Sequence, residues 1–255
     1  MTDQKPRPQG RTEKRQPRDD AAHWARYVET LKVSNVPEGT VNLNVEGRRV
    51  VGPLQGFGKM WQKTYKVRLE GISVTPAEIV KTWKERFPEF WMPGNHFIKP
   101  QAGIAPGGVA LINSDAPGGR WFSTGVMVLY ADEESFTYMS PEGHPFSGWI
   151  TFSAHRDEDD TTVAQAQLLI RANDPLVELM MPLGVHRMED KIWQHTLRSV
   201  ARHFGASEEV ETHVVCVDPK RQWRQYKNIR YNAIILSALH AITAPLRKIS
   251  NRARS

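Results

Sequence analysis

Cysteine is nearly absent: Cys216 stands alone in 255 residues. No disulfide can form within the chain, and a reducing, cytoplasmic compartment is expected. The lone thiol also excludes paired-cysteine redox and zinc sites. No HxxxH or HExxH spacing occurs, so no metal centre is expected. GxSxG is missing, and no glycine-rich phosphate loop follows a strand, so no nucleotide or other cofactor is expected. The first twenty residues lack an apolar stretch, so no secretory signal is expected there. No run reaches the roughly 20 apolar residues of a membrane-spanning helix.

Acid is also missing where it matters for charge. The net charge of +6 divides into +2 over 1–20, −5 over 21–218 and +9 over 219–255, which has no Asp or Glu. A mildly acidic body therefore carries a basic end, and electrostatic partners concern that end. What is present suits a folded protein. Hydrophobic residues make up 40%, with 18 glycines besides, which is ordinary for a globular chain of this length.

Residues 1–20 are polar and read as disordered. From Ala21 to Val33, Trp24, Tyr27, Val28 and Leu31 recur at helical spacing and predict a short amphipathic helix within an N-terminal segment, 21–58. A hairpin is expected across Val45–Arg48. Met60–Leu69 alternates as a strand. Thr75-Pro76-Ala77-Glu78 is a capping box with proline at the first helical position. The helix it opens should run to about Phe87, with Pro88 and then Pro93-Gly94 stopping it. Five strands follow: 108–113, 120–131, 135–140, 149–156 and 161–171. Their turns are too short for crossover helices, so the sheet is antiparallel. Asp174-Pro175 opens a helix, Pro182-Leu183-Gly184 interrupts it, and a long helix then runs to Phe204, with Gly205 closing it.

The expected fold class is α+β: a curved antiparallel sheet wrapped around a long C-terminal helix, with extensions at both ends. That order over 59–205 resembles the START-like superfamily, which includes polyketide cyclases and lipid-transfer domains. The resemblance is carried by WQKTYKVRLEGISVTPAEIVKTWKERFPEFW, by the strands of 120–171 and by NDPLVELMMPLGVHRMEDKIWQHTLRSVARHFG. It implies the helix-grip fold and an apolar cavity between helix and sheet, hence binding or transport of a lipid or polyketide-like molecule. The residues expected to line such a cavity are Trp91, Phe97, Trp121, Met127, Tyr138, Trp149, Met180, Met181, Met188 and Trp193. Plain core packing would use the same residue types.

A cyclase or hydratase is the alternative. His155 or His186 would act as acid or base, and Tyr138 would orient a carbonyl. A non-catalytic regulatory or assembly module is the third reading. Residues 206–255 read as a basic amphipathic extension. Tyr231, Ile234, Ile235, Ala238, Leu239, Ile242, Leu246 and Ile249 form one apolar stripe, with cations before and after. Through 219–255 this end could meet an anionic membrane surface, pack on the domain or build a homo-oligomer. Nucleic acid is the least favoured partner, despite aromatics among the cations in RQWRQYKNIR.

Overall fold

Alternation and capping place most elements where the sequence puts them. The computed structural model describes residues 19–33, 40, 42–116, 119–207 and 209–252. Residues 1–18, which make up nearly all of the segment read as disordered, lie outside them. In chain order the elements are β1 (Val50–Val51), β2 (Met60–Arg68), α1 (Pro76–Phe90), β3 (Asn95–Ile98), β4 (Val109–Ala116), β5 (Gly119–Ala131), β6 (Ser135–Pro141), β7 (Phe146–Arg156) and β8 (Thr162–Ala172). Then come α2 (Pro175–Met180), a π turn (Met181–Val185), α3 (His186–Phe204), β9 (Val210–Asp218), a 3-10 segment (Trp223–Tyr231) and α4 (Ala233–Arg252). The strands pair antiparallel in the order β3-β4-β5-β6-β7-β8-β2-β9, with β1 on β6.

The local signals are realised in geometry. Thr75 accepts from the Glu78 N–H, and Glu78 accepts from the Thr75 N–H at 2.8 Å. Asp174 caps α2 by accepting from Leu176 and Val177. Gly205 ends α3 at φ 76°, the left-handed conformation that a side chain would resist. Pro88 does not stop α1 as expected. Its lost hydrogen bond is absorbed by a kink at Arg86, and the helix continues to Phe90.

Helices α1 and α3 cover one face of the curved sheet, which is the helix-grip arrangement. Trp83, Phe87, Phe136, Phe152, Leu197 and Val200 lie in this interior and are fully buried. The opposite face has a smaller apolar cluster of Leu31, Val45, Leu111 and Met127.

The amphipathic helix expected over 21–33 is absent from the described residues. Only Asp19–His23 turns, as a 3-10 helix. The chain then runs extended: Ala25 donates to the Leu129 carbonyl at 2.8 Å, and Trp24 bridges to Tyr130. Tyr27 stays 91% exposed, so the helical spacing marks no buried stripe. Val45–Arg48 does turn, closed by Arg48 N–H on the Val45 carbonyl, but its backbone pairs with Leu31 rather than forming a hairpin.

The sheet does not end with α3. Within 206–255, β9 adds an edge strand to β2, and α4 lies along β5 on the outer face. Arg171, fully buried on β8, holds this end in place. It donates to the Gly58 carbonyl at 2.5 Å and the Lys220 carbonyl at 2.8 Å, and it pairs with Asp218. Asn232 caps α4 through Ile234 and Ile235 and donates to Asp174 at 2.8 Å. Ser237 receives the Ser123 N–H and the Asn44 amide, both at 3.1 Å. The first turns of α4 are therefore docked on the chain's own sheet. No helix among the described residues is long and apolar enough to cross a membrane.

His144 sits in the β6–β7 turn beside this seam, where the Gly143 carbonyl accepts from Ala233. Burial pushes its imidazole down to about 4. An unfolded histidine takes up its proton near pH 6.5, whereas the folded one resists until about 4. The neutral form is favoured by folding, so this stability is full above about pH 6.5 and is lost as pH falls toward 4. Urea unfolding should give a lower midpoint at pH 5 than at pH 7, with the gap narrowed in His144→Asn. An unchanged gap in that variant would assign the acid sensitivity elsewhere.

Candidate functional site

Strand β2 puts Trp61, Lys63, Tyr65 and Val67 on one side, because successive strand residues alternate between faces. That side meets α3. Lys63 is thereby carried inside and is only 1% exposed. Its Nζ donates to Glu189 Oε2 and to Asp190 Oδ1, each at 2.8 Å. The Tyr65 hydroxyl donates to the same Asp190 oxygen at 2.6 Å. Both carboxylates come from the start of α3, Glu189 in its first turn and Asp190 next to it, just past the π turn.

One cation thus faces two carboxylates in a desolvated corner. Burial raises the Glu189 carboxyl above its usual range, although Lys63 opposes the shift. Burial, reinforced by Glu189, also raises the Tyr65 phenol, so it stays a donor. His186 stacks edge-on against Trp61 at 4.9 Å. Its imidazole is lowered by burial and then by the Lys63 charge, which favours the neutral form.

An aromatic chamber continues from this corner. Trp193, one turn beyond Glu189, meets Trp91 at 5.6 Å and Phe152 at 5.7 Å between ring centres. Trp91 also touches Phe87 and Phe97, and Tyr138 touches Phe97 and Phe152. Several polar atoms here are buried with no hydrogen-bond partner: the indole nitrogens of Trp83, Trp91 and Trp193, the Tyr138 hydroxyl and Glu189 Oε1. The Trp193 N–H approaches Glu189 closely enough to favour its carboxylate, without reaching hydrogen-bond geometry. Burial alone raises the Tyr138 phenol well above its ordinary value.

Of the residues expected to line a cavity, Trp91, Phe97, Tyr138 and Trp193 come together in this chamber. Met181 is buried nearby, in a cluster with Ala172 and Val177 against which Trp61 packs. Met180 is half-buried in the last turn of α2. The others are placed elsewhere. Met127 packs with Leu31 on the outer face. Trp149 also faces outward, since its neighbour Ile150 is the inward residue. Met188 is 56% exposed, on the solvent side of α3. The side chain of Trp121 lies outside the described residues.

His155 shares the phase of Trp149, Thr151 and Ser153, and that phase is the outer one. It is exposed at the end of β7, away from the chamber. His186 lies at the rim of the Lys63 corner. Lys63 and Tyr65 are the residues that sequence reasoning passed over, and Glu189 stood in it only as a neighbour one turn beyond His186. The signal was a lysine in the inward phase of an otherwise apolar strand face, and a glutamate four residues before Trp193 on the buried stripe.

Within the chamber the rings pack against one another, Trp91 on Phe97 at 5.5 Å and Phe87 on Phe97 at 4.6 Å between centres. Two clefts on the surface, of about 370 and 470 Å³, open beside Pro100 and Gly107 and between Asn44 and α4. No group of three or more metal-ligating side chains occurs among the described residues.

No family model matches the sequence, and no curated protein matches it. Solved structures give weak likenesses at probability 1.00. The di-domain ARO/CYC protein StfQ of the steffimycin biosynthetic pathway aligns at 12% identity and TM-score 0.42, over 57% of this chain and 50% of that one. This chain therefore matches half of StfQ's length. Ara h 8.0201 aligns at 15% identity and TM-score 0.40, over 56% of this chain and 97% of that one. Ginseng major latex-like protein 151 from Panax ginseng aligns at 16% identity and TM-score 0.37, covering 58% and 99%. The helix-grip assignment stands on the sheet order and the covering helices.

Proposed function

We propose that this chain binds a hydrophobic small molecule, lipid or polyketide-like, between α3 and the curved sheet. The observation that carries the reading is the set of unpartnered polar atoms inside an aromatic interior. Each such atom costs roughly 1–3 kcal/mol when buried unsatisfied. A packed core rarely keeps several together. A ligand with an apolar body and a few oxygens would satisfy them, accepting from the indoles of Trp91 and Trp193 and bonding the Tyr138 hydroxyl. Its polar end would meet the Lys63–Glu189–Asp190 corner. Entry requires the rings to move. The π turn supplies the hinge, because Gly184 holds φ 132° where no bulkier residue would be at ease.

A catalytic reading has one observation of its own. Glu189 presents a carboxylate oxygen that the Trp193 N–H approaches without reaching hydrogen-bond geometry, beside a lysine and a neutral histidine, so acid–base chemistry would centre on Glu189 rather than on His155. Native mass spectrometry of the purified chain, with solvent extraction of anything bound, tests the binding reading. A small-molecule adduct is expected. A bare mass that takes up neither lipids nor polycyclic ketones would overturn it.

A further inference from the structure

Five exposed large apolar side chains come from segments that contact one another. Leu54 follows β1, Leu179 ends α2, Leu183 lies in the π turn, and Trp223 and Tyr226 belong to the 3-10 segment. Leu183 is 79% exposed, Trp223 70% and Leu179 66%. Contacts tie these segments into one face. Gln225 and Asn228 bond the carbonyls of Leu54 and Gln55, Asn228 bonds the Asn173 carbonyl, and Arg221 pairs with Glu178 of α2 at 2.8 Å. Trp223 stands edge-on to Phe57 at 5.2 Å, which holds its ring in place.

The exposed charge that these segments contribute has one sign. Arg187, Lys220, Arg221, Arg224, Lys227 and Arg230 are exposed there. Between Pro175 and Met188 the one acid is Glu178, which is buried and paired, and none occurs after Asp218. We infer that this face, and not the apolar stripe of α4, docks the protein on an anionic lipid bilayer. Exposed leucines, a Trp and a Tyr on segments that also carry exposed cations are the residue types of a bilayer interface. Each basic group adds attraction to anionic lipid that salt weakens. A second copy presenting the same face would be repelled. Nucleic acid would use the cations but leave the leucines in water. The stripe of α4 leaves Leu239 and Ile242 exposed, but the helix has no Lys or Arg between Tyr231 and Leu246 to draw them to anionic lipid, and its buried residues, Ala233 and Ser237, lie off the stripe. The face carries the π turn, so a molecule leaving the bilayer would meet the hinge of the chamber directly.

Flotation of the full chain with vesicles tests docking whether or not the chamber is filled. Binding is expected to phosphatidylcholine vesicles containing phosphatidylglycerol, and not to phosphatidylcholine alone. The double change Leu179→Glu with Leu183→Glu should reduce bound protein at least tenfold, as should Arg224→Glu with Lys227→Glu. Leu239→Ser with Ile242→Ser, on α4, should leave it unchanged, and circular dichroism reports whether each variant is folded. No binding to anionic vesicles would overturn the inference. So would binding lost only in the α4 variant, or a dimer broken by the leucine changes.

Discussion

Lys63→Ala is expected to lower the unfolding free energy by about 3–5 kcal/mol, the range for removing one partner from a buried ion pair. The substitution leaves Glu189 and Asp190 facing each other without a cation, and Glu189 is almost wholly shielded from water. The loss should depend on pH. Without Lys63 only the weak approach of the Trp193 N–H offsets burial at Glu189, so the variant is expected to recover stability as pH falls and that carboxyl is protonated. Lys63→Met combined with Glu189→Gln should lose less than Lys63→Ala alone, because the change removes a charge of each sign. Urea unfolding at pH 7 and pH 5 measures all three. A loss below about 1 kcal/mol in Lys63→Ala would mean that the corner is hydrated.

Trp193→Ala has the second largest expected effect. Its ring joins Trp91, Phe152 and the Lys63 corner, so its removal opens a void where α3 meets the sheet. Truncating a core tryptophan costs about 3–5 kcal/mol, and the lower end applies to a half-buried ring. Added indole fills such a space with the same atoms, so it should raise the melting temperature of the variant more than that of the parent. Equal responses of parent and variant would show that Trp193 does not wall the chamber.

Local signals explain which parts of this fold are readable. Thr75–Glu78, Asp174 and Gly205 act within a few residues of themselves, and each does what its chemistry dictates. The strands of 109–172 were legible because their turns are short. What was not legible depends on distant partners. Trp24 and Leu31 have helical spacing, yet the free backbone groups of β5 and Arg48 take their hydrogen bonds. The run around Cys216 looks like core, but β9 lies at the sheet edge with Val214, Val215 and Val217 each more than 40% exposed.

The site divides in the same way. Period-2 alternation correctly grouped His155 with Trp149, but alternation alone does not say which phase faces inward. Only the positions of α1 and α3 decide that, and they select Ile150 and Phe152. Trp91, Phe97, Tyr138 and Trp193 were within reach because large aromatics in a curved sheet and its helix tend to meet. The Lys63–Glu189 pair spans 126 residues, and no spacing rule connects them.

The most direct measurement of the central claim is native mass spectrometry on the parent chain and on Tyr138→Phe, paired with melting temperatures. Deleting an unsatisfied buried hydroxyl should raise the stability of the empty protein by about 1 kcal/mol. The same deletion should weaken retention of an oxygen-bearing apolar ligand. A chamber built for a ligand therefore predicts opposite signs: a more stable protein that carries less adduct. A Tyr138→Phe protein of unchanged stability, alongside a parent chain that never carries or accepts a small molecule, would contradict the account.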